Sequence, residues 1–137
     1  MASIHKEIQI NRDSTSAWDA IRDVGAIHQR LVPGFVVDCR LEGDSRVVTF
    51  ANGTVMRELI VDVDDSTRRH SWSARGEPLT HHNASVQVFP DGDDKCRIVW
   101  IADVLPHAAA ATMSEMIQQG LAVMKQTLER ASPAGPH

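Results

Sequence analysis

The side chains in this sequence with a plausible chemical use are a carboxylate inside an alternating apolar run, a histidine pair, two tryptophans and a set of methionines. The carboxylate is Glu58, within Thr54 to Val63. Val55, Leu59, Val61 and Val63 share one face of that run. Alternation alone would bury their face and turn Glu58 to solvent, beside a cross-strand arginine. Turned inward among apolar walls, the same carboxylate would have a raised pKa and could give or take a proton. The pattern leaves both readings open. His82 shares its face with Ala84, Val86 and Val88, and a histidine there could donate a hydrogen bond or carry a proton near neutral pH. His81 points the opposite way, so the two cannot hold one ion. A metal site would need further ligands, such as His28 or Asp103, and no metal or other cofactor is expected.

Trp72 and Trp100 fall on faces with small apolar neighbours, Ala74 for the first and Ala102 and Val104 for the second. Either indole could fill a core or line a pocket with its N–H as donor. Met56, Met113, Met116 and Met124, with Ile117 and Leu121, suggest an adaptable apolar wall, because thioethers fit varied shapes. His28 and Arg30 stand just before Pro33-Gly34. They are candidates for recognising a carboxylate or hydroxyl, or simply solvated residues of a short helix.

The elements that must position these groups follow from periodicity. Isoleucines at 4, 8 and 10 mark a strand. Asn11 or Asp13 then caps a helix with a stripe of Ala17, Trp18 and Ile21. Gly25 ends it, and a second short helix, Ala26 to Leu31, stops before Pro33-Gly34. Beyond Gly34 the period becomes two. Phe35, Val37, Cys39 and Leu41 alternate with Val36, Asp38, Arg40 and Glu42. Val47 to Ala51 and Thr54 to Val63 flank Asn52-Gly53, a strong hairpin signal. Strands over Arg69 to Ala74, His81 to Phe89 and Cys96 to Leu105 follow, before Pro106. Ala108 to Ala131 then reads as one long helix, with Met113, Ile117, Gly120, Leu121, Met124 and Leu128 at spacings of three and four. A strand, two short helices, six strands and a long helix make an α+β domain with an antiparallel meander covered by that helix.

Composition limits the function classes. A chain of 137 residues, 42% hydrophobic and 23% charged, suits one globular domain over 1–131. The Pro- and Gly-containing end, 132–137, is expected to be a disordered tail. No apolar run approaches the roughly 20 residues of a membrane span, and no signal-peptide core is seen, so a cytoplasmic location is expected. With 14 Lys+Arg against 18 Asp+Glu there is no basic stripe for nucleic acid. Cys39 and Cys96 are far apart and read as reduced thiols. Nucleophile elbows, phosphate-binding glycine loops, zinc-protease motifs and dinucleotide fingerprints are absent from the sequence.

The local text resembles a known family over Ile4 to Glu129. Ala17-Trp18-Asp19-Ala20-Ile21-Arg22-Asp23 is similar to its first-helix motif, and Leu31 to Cys39 to its loop into the second strand. Asn52-Gly53, then Val55-Met56-Arg57-Glu58-Leu59 and Asp64-Asp65, is similar to its hairpin stretch. Val99-Trp100, Gly120-Leu121 and Leu128-Glu129 complete the match. These resemble the START-like, or SRPBCC, superfamily of polyketide cyclase/dehydrase-like proteins. The resemblance implies a helix-grip fold, with a curved seven-stranded antiparallel sheet and two short helices wrapped round a long C-terminal helix. It also implies a deep cavity for a hydrophobic or aromatic small molecule. Members often point the glutamate at Glu58 inward, and commonly carry Asn-Tyr where this chain has His81-His82.

The leading reading is a protein that binds such a small molecule between the sheet and the C-terminal helix, with Met56, Trp72, His82, Trp100, Met113, Ile117, Leu121, Met124 and His28 as the expected ligand contacts. Alternatives are a cyclase, dehydratase or isomerase using Glu58 and His82 as acid and base, or a regulatory module that takes a partner protein or lipid. Fold alone does not choose among them. Exposed edge strands would also allow a homodimer.

Overall fold

A computed structural model describes residues 2–130; the segment expected to be a tail lies outside them. Seven strands form one antiparallel sheet: β1 (Ala2–Ile10), β2 (Val36–Glu42), β3 (Ser45–Phe50), β4 (Val55–Asp64), β5 (Arg69–Arg75), β6 (His81–Pro90) and β7 (Cys96–Leu105). Their order in the sheet is β1-β7-β6-β5-β4-β3-β2. Strands β2 to β7 are a plain meander, and β1 closes it by pairing Ile4 with Ala102 and Ile8 with Ile98. Between β1 and β2 lie α1 (Ser14–Arg22) and α2 (Ile27–Arg30); after β7 a single 3-10 turn leads into α3 (Ala110–Arg130). This is the helix-grip arrangement.

Local chemistry explains the punctuation. Asp13 caps α1 by accepting from the Ser16 N–H at 2.9 Å, which satisfies one of the free donors of the first turn. Trp18 and Arg22 on α1 both donate to Asp65 at the β4–β5 turn, each at 2.8 Å, so the helix is tied to the far side of the sheet. Asn52 and Gly53 do form the β3–β4 turn, but the loop holds three residues rather than two. The Phe50 N–H donates to the Thr54 carbonyl at 2.8 Å, and Gly53 has φ +92°, the left-handed conformation that glycine adopts without strain.

Two bulges alter the expected alternation. In β2 the register shifts between Val36 and Asp38, so Val36 and Cys39 are buried while Val37 is 55% exposed. In β4 it shifts between Ile60 and Asp62. Val55 and Val61 then face out, Val63 returns toward the core, and Glu58 is buried at 7% exposure. Alternation through β4 therefore favoured the wrong face for this strand. An extra residue at a bulge reverses every side chain beyond it.

Helix α3 has two unequal parts. Ile117, Gly120, Leu121, Met124 and Leu128 are buried in a core cluster with Ile4, Ile10, Ile98 and Val104. Its C-terminal end is fastened by polar contacts. Lys125 donates to the Gln9 carbonyl at 2.9 Å, Arg12 to the Leu128 carbonyl at 3.0 Å, and the Asn11 N–H to Glu129 at 2.8 Å. Gly120 permits the close approach. A Cβ there would stand 2.9 Å from Trp100 Cζ3 and 3.5 Å from Phe35 Cε2. Gly120→Ala should thus destabilise the fold by about 1–2 kcal/mol, since overpacking outweighs the roughly 1 kcal/mol that alanine gains in a helix. Urea unfolding checks this: a more stable variant would mean that Trp100 yields freely.

Candidate functional site

Under the first turns of α3 the sheet and helix do not meet, and a cavity of about 690 Å³ remains. Its walls are mostly apolar, from Ile27, Leu31, Val32 and Phe35 on one side to Met113, Met116 and Met124 on the other. The space exists because α3 is anchored at its C-terminal end, while the residues at its start are small, Ala108 to Ala111.

The inner face of the sheet carries the polar groups as cross-strand rows. In one row Arg46 pairs with Glu58 and Glu58 with Ala74; His82, beyond Ala74, pairs with Val104. Arg46 and Glu58 form a buried ion pair, with Arg46 Nε and Nη2 each 2.8 Å from Glu58 Oε1. Arg46 Nη1 also donates to the Val24 carbonyl at 3.1 Å, fixing the loop between the short helices. Its guanidinium lies 5.7 Å from the centre of the Trp72 ring, within cation–π range.

Trp72 is the hub of an aromatic cluster. His70 stacks on it at 5.0 Å, Trp100 meets it edge-on at 5.6 Å, and His82 is tilted against it at 6.4 Å. All four line the cavity. Burial and the Arg46 charge push the His70 pKa down to about 3, and burial with the neighbouring His81 pushes His82 down to about 4. Both imidazoles are neutral at neutral pH. Trp100 Nε1 and His70 Nε2 are buried without a hydrogen-bond partner, an uncompensated cost that a ligand atom reaching them would relieve.

His82 has a backbone task as well. Pairing of β5 with β6 runs only as far as Trp72 with Ala84. Beyond that point the Ala74 N–H donates to His82 Nδ1 at 2.9 Å and the Ser73 hydroxyl to the His82 carbonyl. An acceptor role for Nδ1 places the proton on Nε2, so the ring offers the cavity an N–H rather than a base. Glu58 and His82 share no hydrogen bond, and with β5 between them their backbones are about 10 Å apart. The structure therefore gives no support to a directly coupled acid/base pair.

Of the other expected ligand contacts, Met56, Trp72, Trp100, Met113 and Met124 line the cavity. Ile117 and Leu121 do not. They point into the core from the neighbouring edge of the α3 stripe, 0% and 4% exposed. His28 is also outside the lining, on α2, whose Arg30 is engaged at the surface by Asp19 and Asp23. Sequence reasoning did not name Arg46 and His70. Arg46 could have been found only from the length of the Ala51–Gly53 loop: a two-residue turn would have put Val47 opposite Glu58. His70 shares Trp72's face by alternation, a signal that was present. Cys39 and Cys96 are free and buried, and burial raises both thiol pKa values, Cys96 to about 11, which makes poor nucleophiles. Among the described residues no group of three His, Cys, Asp or Glu could hold a metal ion, and no helix is long and apolar enough to cross a membrane.

The family described as polyketide cyclase / dehydrase and lipid transport matches residues 1–129. No curated protein matches the sequence significantly. Among solved structures, the protein XoxI from Bacillus cereus superposes with a TM-score of 0.83 at 17% identity, covering 93% of this chain and 96% of that one. The di-domain ARO/CYC protein BexL of the BE-7585A biosynthetic pathway gives 0.79 at 14% identity, covering 94% of this chain and 47% of that one. A START superfamily protein from Mycobacterium smegmatis gives 0.72 at 10%, covering 93% and 94%. At these identities the likeness establishes the fold.

Proposed function

Because the chain belongs to the polyketide cyclase / dehydrase and lipid transport family, we propose that it binds a hydrophobic or aromatic small molecule in the cavity between sheet and α3. The observation that carries this reading is the cavity itself. It measures about 690 Å³, within the roughly 300–1,000 Å³ of small-molecule sites, and its mostly apolar wall contains two buried nitrogens without partners. A packed core of this size would not leave that space. The Trp72 cluster supplies flat surfaces for an aromatic ring, and the methionines a wall that adapts to its outline.

Catalysis is the second reading, favoured by one feature, the Glu58 carboxylate on the cavity wall. With His82 Nδ1 occupied, Glu58 would be the proton carrier and His82 Nε2–H a donor that orients the substrate. If turnover of a cyclisation or dehydration substrate is found, Glu58→Gln should cut it by about 10²–10⁴-fold while changing affinity far less.

Binding can be tested with the protein's own fluorescence. Trp72 and Trp100 line the cavity and Trp18 does not. An occupying aromatic compound should quench emission in the wild type and much less in the Trp72→Phe/Trp100→Phe variant. At a hundred times its dissociation constant the same ligand should add about 2.7 kcal/mol of stability, raising Tm by roughly 8–10 °C. If a panel of aromatic ketones, quinones, terpenoids and fatty acids moves neither signal, the proposal fails.

A further inference from the structure

We infer that the cavity selects electrically neutral ligands and rejects carboxylates, which narrows the proposed binding function and rests on it. Among the described residues, the acidic and basic side chains lining the space, histidines apart, are Arg46, Glu58, Glu77 and Glu115. The one cation is spent. Arg46 places Nε and Nη2 on Glu58 and Nη1 on the Val24 carbonyl. A ligand carboxylate could take its guanidinium only by displacing Glu58, leaving that buried carboxylate without its counter-ion, and a buried charge stripped of its partner is strongly unfavourable. The other buried nitrogens, on His70, His82 and Trp100, belong to neutral rings.

The mouth adds to the bias. Glu77, before β6, and Glu115, on the second turn of α3, are both exposed and both border the opening. Among the described residues lining the cavity there is no lysine, and Arg46 is the one arginine. One feature there favours an anion, the start of α3 beside Ala108 and Ala109. Its partial charge of about half a unit is set against two full carboxylates, and their repulsion prevails. A neutral acceptor such as a ketone or quinone oxygen meets none of these penalties, and can accept from Trp100 Nε1–H or His82 Nε2–H.

A matched pair of probes tests this: 2-acetylnaphthalene and 2-naphthoate have nearly the same outline and differ in charge. Their affinities would be measured by tryptophan quenching and by calorimetry at low ionic strength. The ketone should bind at least about tenfold more tightly than the carboxylate. The exposed double variant Glu77→Gln/Glu115→Gln should tighten naphthoate severalfold and so narrow the ratio between the two affinities; an unchanged ratio would overturn the part assigned to the mouth. Equal affinities, or tighter binding of naphthoate, would overturn the charge selection while leaving the binding site standing. Binding of neither compound would overturn the reading of the cavity as an aromatic site, and this inference with it.

Discussion

Acidification from about pH 6.5 to about pH 4.5 is expected to remove roughly 4 kcal/mol of folding stability. His70 and His82 are buried, with pKa values pushed down to about 3 and about 4 in the folded protein, against an ordinary value of 6.5. Below about pH 6.5 the unfolded chain takes up two protons that the folded one refuses, so stability falls as pH falls. Above it both states hold neutral imidazoles, and these two groups impose no pH dependence. Near the middle of the window each contributes a slope of about 1.4 kcal/mol per pH unit. Carboxylates held low by surface arginines, such as Asp65 beside Arg22, lose their contribution only below about pH 4. His70→Phe keeps a ring against Trp72 and removes one titration, so it should roughly halve the slope of the urea midpoint against pH. A midpoint that stays level across this range would refute the assignment.

The second large effect concerns the buried ion pair. Arg46→Met should destabilise the protein by about 3–5 kcal/mol, because Glu58 is then left buried without its partner. That corresponds to a fall in Tm of roughly 10–20 °C. The double variant Arg46→Met/Glu58→Leu removes both charges, and should recover to within about 1 kcal/mol of the wild type or exceed it. Thermal and urea unfolding of the three proteins forms the test. If the double variant is as weak as the single one, what matters about Arg46 is its hold on Val24 and Trp72 rather than its charge.

How far the sequence could be read depends on which signals are local. The long helix, the strands of the meander and the first strand were legible as elements, because their periods are intrinsic to each segment and a bulge changes which face a side chain takes rather than whether a strand forms. Glu58 was not. Its direction depends on a bulge at Val61 that no residue type announces, and its partner on a loop one residue longer than Asn52-Gly53 implies. Met113 and Met124 could be placed on the cavity, but Ile117 and Leu121 carry the same stripe with the opposite outcome. The stripe defines which side of the helix faces the sheet; at about 3.6 residues per turn Met113, Met116 and Met124 fall toward one edge of it and Ile117 and Leu121 toward the other, and the first edge is the one that borders the cavity. His82 was legible as an inward side chain, and its hydrogen bond to Ala74 was not, since it arises only where two strands part.

The pairing of β1 with β7 also has a consequence for synthesis. Ile4 and Ile10 are made well before the strand against which they are buried, which begins at Cys96. At about 5–20 residues per second, roughly 5–20 s pass between translation of the two strands. Throughout that interval the hairpins of β2 to β6 can assemble, whereas β1 has an unpaired edge and apolar side chains with nothing to cover them. The nascent chain should therefore be most vulnerable to chaperone capture and protease at β1, and should lose that vulnerability abruptly once β7 has cleared the ribosomal exit tunnel.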